Sequence, residues 1–304
     1  MNFKRAIKGF LLSFVFLVFF IYMIAGVQWI FESYFQNQNE TVFLGSISSD
    51  VQAKNIENPE LEVNAISAIS VESNLKDLNK VIFDKNSDIK LPIASLTKLM
   101  TAVIVLDNHD LSNTIAVDER ADSQDPMKQD VKLGDIMSVE SFLNIMLIGS
   151  SNKSAYALAE GPGGLIGEQK FVELMNQKAK NLGLQNTFFA DPTGLSPENI
   201  STAKDLTVLA RYILKNYPKI ADISKEKEFY IPGFGKVANT NQLLGEVSEI
   251  VCSKTGFTAE AKGCLLLVVN NSKNSDYLIN VILGADDRFS EMKKLINWSS
   301  ATCN

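Results

Sequence analysis

Three short stretches of this chain carry residue types suited to acyl-transfer chemistry. The first is Ser95-Leu96-Thr97-Lys98. At i, i+3 on a helix, a serine and a lysine share one face within contact reach. A lysine that is desolvated, close to another cation, loses its proton near neutral pH and serves as a base. Such a pair would supply a serine nucleophile that needs no histidine; alone it also reads as a helix-capping serine with a solvated lysine. The second stretch, Ser150-Ser151-Asn152, follows the apolar run 145–148 and Gly149. It offers a hydroxyl and an amide, and it also reads as a turn that caps a helix. The third is Lys254-Thr255-Gly256, followed by Phe257. A strand lysine beside a glycine lets a substrate approach the backbone closely. Its charge and the Thr255 hydroxyl suit a carboxylate. The chain has a single histidine, His109, in the polar run 107–110. It reads as a solvated loop residue, so a base other than histidine is expected.

The elements that must position these groups follow from hydrophobic periodicity. A helix is expected from about Ser95 to Asp107, with apolar residues at 96, 99, 100, 103, 104 and 106. Further helices are expected at about 138–148, 152–160, 168–182 and 202–216, the last opening with Thr202 and Asp205 at capping-box spacing. A β-hairpin is expected over 65–83, and strands at about 227–231, 248–257, 263–270 and 277–284. A final helix is expected from about Asp287 to Trp298. Strands at both ends with helices between them predict an α/β (α+β) domain. In it a mainly antiparallel sheet, joining the terminal strands, packs against a helical region.

Composition narrows the function. The 304 residues are 46% hydrophobic, enough for a sizeable core, and Lys+Arg 29 against Asp+Glu 35 gives a net charge of −6. An acidic chain argues against nucleic acid as a partner. One histidine and three scattered cysteines, Cys252, Cys264 and Cys303, make neither a metal centre nor a disulfide framework. No cofactor is implied. Gly9 to Phe31 holds no charged residue, and Lys4, Arg5 and Lys8 precede it. As a helix this stretch spans about 34 Å, enough to cross a bilayer with the N-terminus inside. The expected organisation is a short cytoplasmic segment 1–8, a transmembrane signal-anchor 9–31, an extracytoplasmic linker 32–62 and a catalytic domain 63–304. A cleaved signal peptide is the rival for 9–31, and both readings export the remainder.

The three stretches occur in the order S-x-x-K, S-x-N, K-T-G, the set shared by penicillin-binding proteins and class A β-lactamases. The wider wording at 83–86, 92–102, 147–152, 191–195, 239–241 and 254–258 resembles the serine D-alanyl-D-alanine carboxypeptidases. These are low-molecular-mass penicillin-binding proteins of peptidase family S11. The resemblance runs from about residue 64 to 300 and implies the β-lactamase/penicillin-binding-protein-like transpeptidase fold. It implies Ser95 as acylated nucleophile, Lys98 as general base and Ser150 as proton shuttle. Asn152 would bind the substrate backbone, and Lys254, Thr255, Gly256, Phe257 and Arg288 would line the substrate site. Thr255 would take the terminal carboxylate, and the Ser95 and Phe257 amides would form the oxyanion hole. Arg288 also reads as an exposed first-turn arginine. The implied partners are peptidoglycan stem peptides ending in D-Ala-D-Ala, β-lactams as inhibitors, and the membrane of a bacterial cell through the anchor.

Two positions depart from the family wording: Lys153, which reads as solvated, and Cys252, which is placed to narrow the groove floor. A D,D-endopeptidase using the same residues is the closest rival. A β-lactamase lacks support, since 186–200 offers only Glu198 and no E-x-x-x-N pattern. A non-catalytic penicillin-binding sensor would be expected to have lost a catalytic group, and none is missing.

Overall fold

The computed structural model describes residues 61–75, 79–128, 130–164, 166–271 and 276–302. The expectations for the segments 1–8 and 9–31, and for nearly all of the linker, lie outside the described residues. Among the described residues no helix is long and apolar enough to cross a membrane.

In chain order, β1 (Ser67–Ser73) and β2 (Asn79–Lys85) form the expected hairpin. The short β3 (Leu91–Pro92) leads through a 3₁₀ turn, Ala94–Leu96, into α1 (Thr97–Asn108). The middle of the chain holds β4 (Thr114–Ala116), α2 (Glu119–Asp122), β5 (Ile136–Ser138), α3 (Val139–Ile148), α4 (Asn152–Glu160) and α5 (Glu168–Asn181). After β6 (Ile200–Ser201) come α6 (Ala203–Asn216) and α7 (Pro218–Ser224). β7 (Glu228–Ile231) and β8 (Gly235–Ala238) make a second hairpin. The chain closes with β9 (Ile250–Thr258), β10 (Lys262–Asn271), β11 (Asp276–Ala285) and α8 (Arg288–Thr302).

The main sheet has the order β2-β1-β11-β10-β9, and every pair is antiparallel. The β1–β11 pairing, Ser67 opposite Leu283, joins the two ends of the domain as expected. β10 is apolar on both faces because both are covered. Leu266 and Val268 face the helical region, while Leu265 and Leu267 pack with Met292, Leu295 and Ile296 of α8. α1 is the centre of the helical region: every residue from Thr97 to Val105 is buried. A helix enclosed on all sides must be apolar all round, apart from groups that are paired. Leu99, Met100 and Ile104 each contribute about 2 kcal/mol by leaving water.

Local signals set the element starts. Ser138 Oγ accepts from Ser141 N at 3.1 Å, and Ser151 Oγ accepts from Ser154 N at 2.8 Å, capping α3 and α4. Thr202 Oγ1 accepts from Asp205 N at 3.0 Å, which is half of the expected capping box. The other half is absent because the Asp205 carboxylate turns to Asn186 N and Thr187 Oγ1. His109 is the C-cap of α1 and packs its ring on Gly161. It is half-buried rather than solvated, and the eleven helical steps between them put it about 16 Å from Lys98.

Candidate active site

Ser95 sits in the 3₁₀ turn, one step before α1 begins, rather than on the helix itself. The turn is tight: Ala94 has φ of 47° and Leu96 N donates to Ile93 O at 3.2 Å. Lys98, in the first turn of α1, is fully buried. Its Nζ lies 2.9 Å from Ser95 Oγ, 2.8 Å from Asn152 Oδ1 and 2.5 Å from the Thr193 carbonyl. A neutral lysine has two N–H bonds and one lone pair. Asn152 Oδ1 and the Thr193 carbonyl are pure acceptors and claim both N–H bonds. The lone pair is left facing Ser95 Oγ, the orientation needed to take its proton. Burial pulls the Lys98 pKa down to about 7, against the charges of Asp191 and Asp130, which raise it.

Ser150 has φ of 61° and is buried between Gly149 and the capping Ser151. A non-glycine residue held in the left-handed region costs energy and marks a geometry fixed by its surroundings. Its Oγ receives a 2.8 Å hydrogen bond from Lys254 Nζ, which also donates to Thr255 O at 3.0 Å. Lys254 is fully buried, and burial, then Lys98 and Arg288, push its pKa well below the usual lysine value. Asn152 Nδ2 donates to the Asp125 carbonyl at 2.9 Å, so this amide ties α1 to the 122–130 loop. Lys98 reaches this segment through Asn152, and Ser150 reaches the lysines through Lys254.

Lys254, Thr255 and Gly256 lie within β9, paired with Leu266, Leu265 and Cys264 of β10. A Cβ added at Gly256 would stand 2.9 Å from Ile93 O and 3.1 Å from Ser95 N. The glycine is what lets β9 lie against the turn that carries Ser95. Thr255 Oγ1 shares a 2.5 Å hydrogen bond with Thr240 Oγ1. Phe257 is 65% exposed at the open edge. The Arg288 guanidinium lies 6.0 Å from its ring centroid and 4.6 Å from that of Phe289. Arg288 is half-buried with an unpaired Nε, so the exposed-arginine reading does not hold. The structure thus brings Ser95, Lys98, Ser150, Asn152, Lys254, Thr255, Gly256, Phe257 and Arg288 together along β9, the edge strand of the main sheet.

Two expectations about neighbours fail. Lys153 is not solvated: its Nζ pairs with Asp122 at 2.6 Å, anchoring α4 to α2. Cys252 does not floor the groove. It is fully buried beneath α7, where its sulfur meets Ser224 Oγ at 3.4 Å. Cys252 and Cys264 are both free thiols. Among the described residues no group of three His, Cys, Asp or Glu is placed to hold a metal ion.

Sequence reasoning gave no role to several residues around the site. Asp191 organises the turn that carries the Thr193 carbonyl, and Thr101 Oγ1 holds that turn at Pro192 O, 2.6 Å away. Asp130 accepts from Ser151 Oγ and from Met127 N at 2.9 Å, fixing the loop beside α4. The only advance signal for Asp191 was its place in the stretch 191–195. Thr240 likewise had only its place in the stretch 239–241, and Asp130 gave no signal.

Residues 52–287 match the D-alanyl-D-alanine carboxypeptidase family, Peptidase S11. The D-alanyl-D-alanine endopeptidase of Escherichia coli (strain K12) is 36% identical over 247 residues, covering 78% of this chain and 77% of that protein. The D-alanyl-D-alanine carboxypeptidase DacF of Bacillus subtilis (strain 168) is 34% identical over 253 residues, covering 79% and 63%. Among solved structures, penicillin-binding protein D2 from Listeria monocytogenes in its cefotaxime-bound form superposes with a TM-score of 0.70 at 26% identity. That match covers 79% of this chain and all but 1% of the other, or 99%. With a serine and a buried lysine in contact, a second serine–lysine pair beside them and this span of similarity, the chain belongs to the D-alanyl-D-alanine carboxypeptidase family of serine peptidases.

Proposed function

We propose that this protein removes the terminal D-Ala from peptidoglycan stem peptides through an acyl-enzyme on Ser95. The observation that carries the reading is Lys98, a buried lysine with a pKa of about 7 whose Nζ is 2.9 Å from Ser95 Oγ. At neutral pH about half of it is neutral, against roughly 1 in 3,000 for an ordinary lysine. Lys98 takes the Ser95 proton as Oγ bonds to the carbonyl carbon of the penultimate D-Ala. The oxyanion is received by the amides of Ser95 and Phe257. The C–N bond then breaks, and the departing D-Ala amine takes a proton from Ser150, which regains one from Lys254; the proton that Lys98 took from Ser95 replaces it on Lys254, so both lysines return to their starting states. A water then gives its proton to neutral Lys98 as its oxygen bonds to the acyl carbon, and Lys98 passes that proton to Ser95 Oγ as the ester C–O bond breaks. Thr255, with Arg288 nearby, receives the substrate's carboxylate, and Asn152 its peptide backbone. β-Lactams acylate the same serine, as the cefotaxime- and ampicillin-bound forms of the Listeria protein suggest by likeness.

The catalytic domain is proposed to span 63–304 and to work outside the cytoplasmic membrane of a bacterial cell, where its substrate lies. The uncharged stretch 9–31 and the preceding Lys4, Arg5 and Lys8 support an N-terminal anchor. A second reading, cleavage of peptide cross-links, is favoured by one observation. The endopeptidases of Escherichia coli and Pseudomonas aeruginosa match over 77% and 74% of their lengths, against 63% for DacF. The test is incubation of the full chain with a muropeptide ending in D-Ala-D-Ala and with a cross-linked dimer. Free D-Ala that disappears with Ser95→Ala supports the carboxypeptidase. Dimer cleavage without D-Ala release replaces it with the endopeptidase, and neither product from a folded protein overturns both.

A further inference from the structure

The geometry points to Asp191 as the residue that positions the nucleophile–base pair, holding the Thr193 carbonyl on Lys98 and supplying the negative charge that counterbalances the lysines of the site. This rests on the reading of Ser95 and Lys98 as nucleophile and base. Asp191 makes no hydrogen bond to Lys98. It acts through the turn 191–196, whose donors converge on its carboxylate. Oδ1 accepts from Thr193 N at 2.6 Å, Thr193 Oγ1 at 2.6 Å and Gly194 N at 2.7 Å. Oδ2 accepts from Ser196 N at 2.8 Å and Asn199 Nδ2 at 2.7 Å. Two backbone amides adjacent in sequence and one more beyond are thereby fixed on one anion, as in other turns nucleated by Asp.

Each product of this turn touches the reacting groups. The Thr193 carbonyl takes one of the two N–H bonds of neutral Lys98, at 2.5 Å, and so aims the lone pair at Ser95. Gly194 lies against the peptide unit that carries Ser95: a Cβ there would fall 2.1 Å from Ala94 O and 3.0 Å from Ser95 N. Asn199, which donates to Asp191, also presents its own carbonyl to Ile93 N at 3.0 Å, at the head of the nucleophile's turn. One carboxylate thus fixes the base and the nucleophile's backbone from the same side.

The charge matters as well as the shape. The charges acting on Lys98 are Asp191 and Asp130, and both favour its protonated form. Lys98 in turn, with Arg288, disfavours the charged form of Lys254. Burial raises the Asp191 pKa, but the hydrogen bonds from Thr193, Ser196 and Gly194 outweigh it and hold the carboxyl below its usual range. Asp191 is therefore an anion throughout the pH range in which Lys98 titrates.

The test is the pH profile of acylation by a fluorescent penicillin, measured on the full chain as wild type, Asp191→Asn and Asp191→Glu, with thermal unfolding as the folding control. Asp191→Asn removes the charge and turns an acceptor into a donor among donors. The plateau rate should fall at least about 10-fold, and the acid limb should move to lower pH by roughly 0.5 to 1 pH unit. Asp191→Glu keeps the charge on a longer arm, so the plateau should fall while the limb stays in place. A folded Asp191→Asn with a lower plateau and an unmoved limb would reduce Asp191 to a loop-folding residue and overturn the proposal. Should Asp191→Asn not fold, Asp191→Glu decides: a wild-type plateau or a displaced limb overturns it. Failure of the wild type to be acylated would instead sink the reading of Ser95 and Lys98.

Discussion

Replacing Gly194 by alanine should disable the site without unfolding the protein. Gly194 has φ of +85°, and a methyl built on it would lie 2.1 Å from Ala94 O and 2.5 Å from Ala94 C. Ordinary contact begins at 3.4 Å, so the clash needs a movement of a little over 1 Å. Both atoms are backbone, and a side-chain rotation cannot relieve them. If the 191–196 turn retreats, the Thr193 carbonyl leaves Lys98. If the Ala94–Ser95 peptide retreats, the nucleophile leaves its base. A displacement of about 1 Å at reacting atoms costs about 100-fold in rate, close to 3 kcal/mol of barrier. The left-handed φ adds about 1 to 2 kcal/mol of lost stability. Gly163→Ala is the control, because Gly163 has φ of +68° with nothing within 4 Å of an added Cβ. It carries the backbone strain without the clash and should lose stability but keep its rate. The assay is the second-order rate of acylation by a fluorescent penicillin, beside thermal unfolding of each variant. A folded Gly194→Ala that is acylated within 3-fold of wild type would refute the claim that this turn presses on the nucleophile.

Other outcomes follow from the same geometry. Since Lys98 acts as a base only when neutral and its pKa is about 7, acylation should rise with pH through neutrality and level off above. At pH 6 the rate should be roughly a tenth of its plateau; a profile flat from pH 5 to 8 would contradict this. Thr240→Val removes the hydroxyl that meets Thr255 Oγ1, and should raise KM for a D-Ala-D-Ala peptide several-fold with kcat little changed. A loss confined to kcat would place Thr240 in the chemistry instead. Burial pushes the thiols of Cys252 and Cys264 up to about 11, so neither should react with iodoacetamide at pH 8 until guanidinium is added. Peptide mapping of either as alkylated in the native protein would contradict the buried strand geometry.

The parts of this structure that were legible in the sequence are those written in local pattern. The apolar spacing at 96–106 marks α1, and the continuous apolar run at 264–269 marks a strand covered on both faces. The three candidate stretches could be picked out because each carries its reactive side chains within four residues. What could not be read is what distant residues do to one another. β3 and β6 are two residues each and exist because Leu91 meets Ser201. Lys153 looked like a surface charge until the fold brought Asp122 to it. Arg288 looked free at a helix start, yet β9 places Phe257 beside it. Asp191 is separated from Lys98 by more than ninety residues, and its influence arises only once Thr193 reaches the first turn of α1. The 3₁₀ turn that carries Ser95 was likewise hidden, because the helical pattern continues through it.

The central claim is that Ser95 becomes covalently acylated with Lys98 as its base. The direct measurement is intact-protein and peptide mass spectrometry of the full chain after brief exposure to a penicillin. One adduct per chain should appear, on the peptide containing Ser95. It should be absent in Ser95→Ala and formed at least about 100-fold more slowly in Lys98→Ala. An adduct on Ser150, or on any residue that persists in Ser95→Ala, would contradict the account.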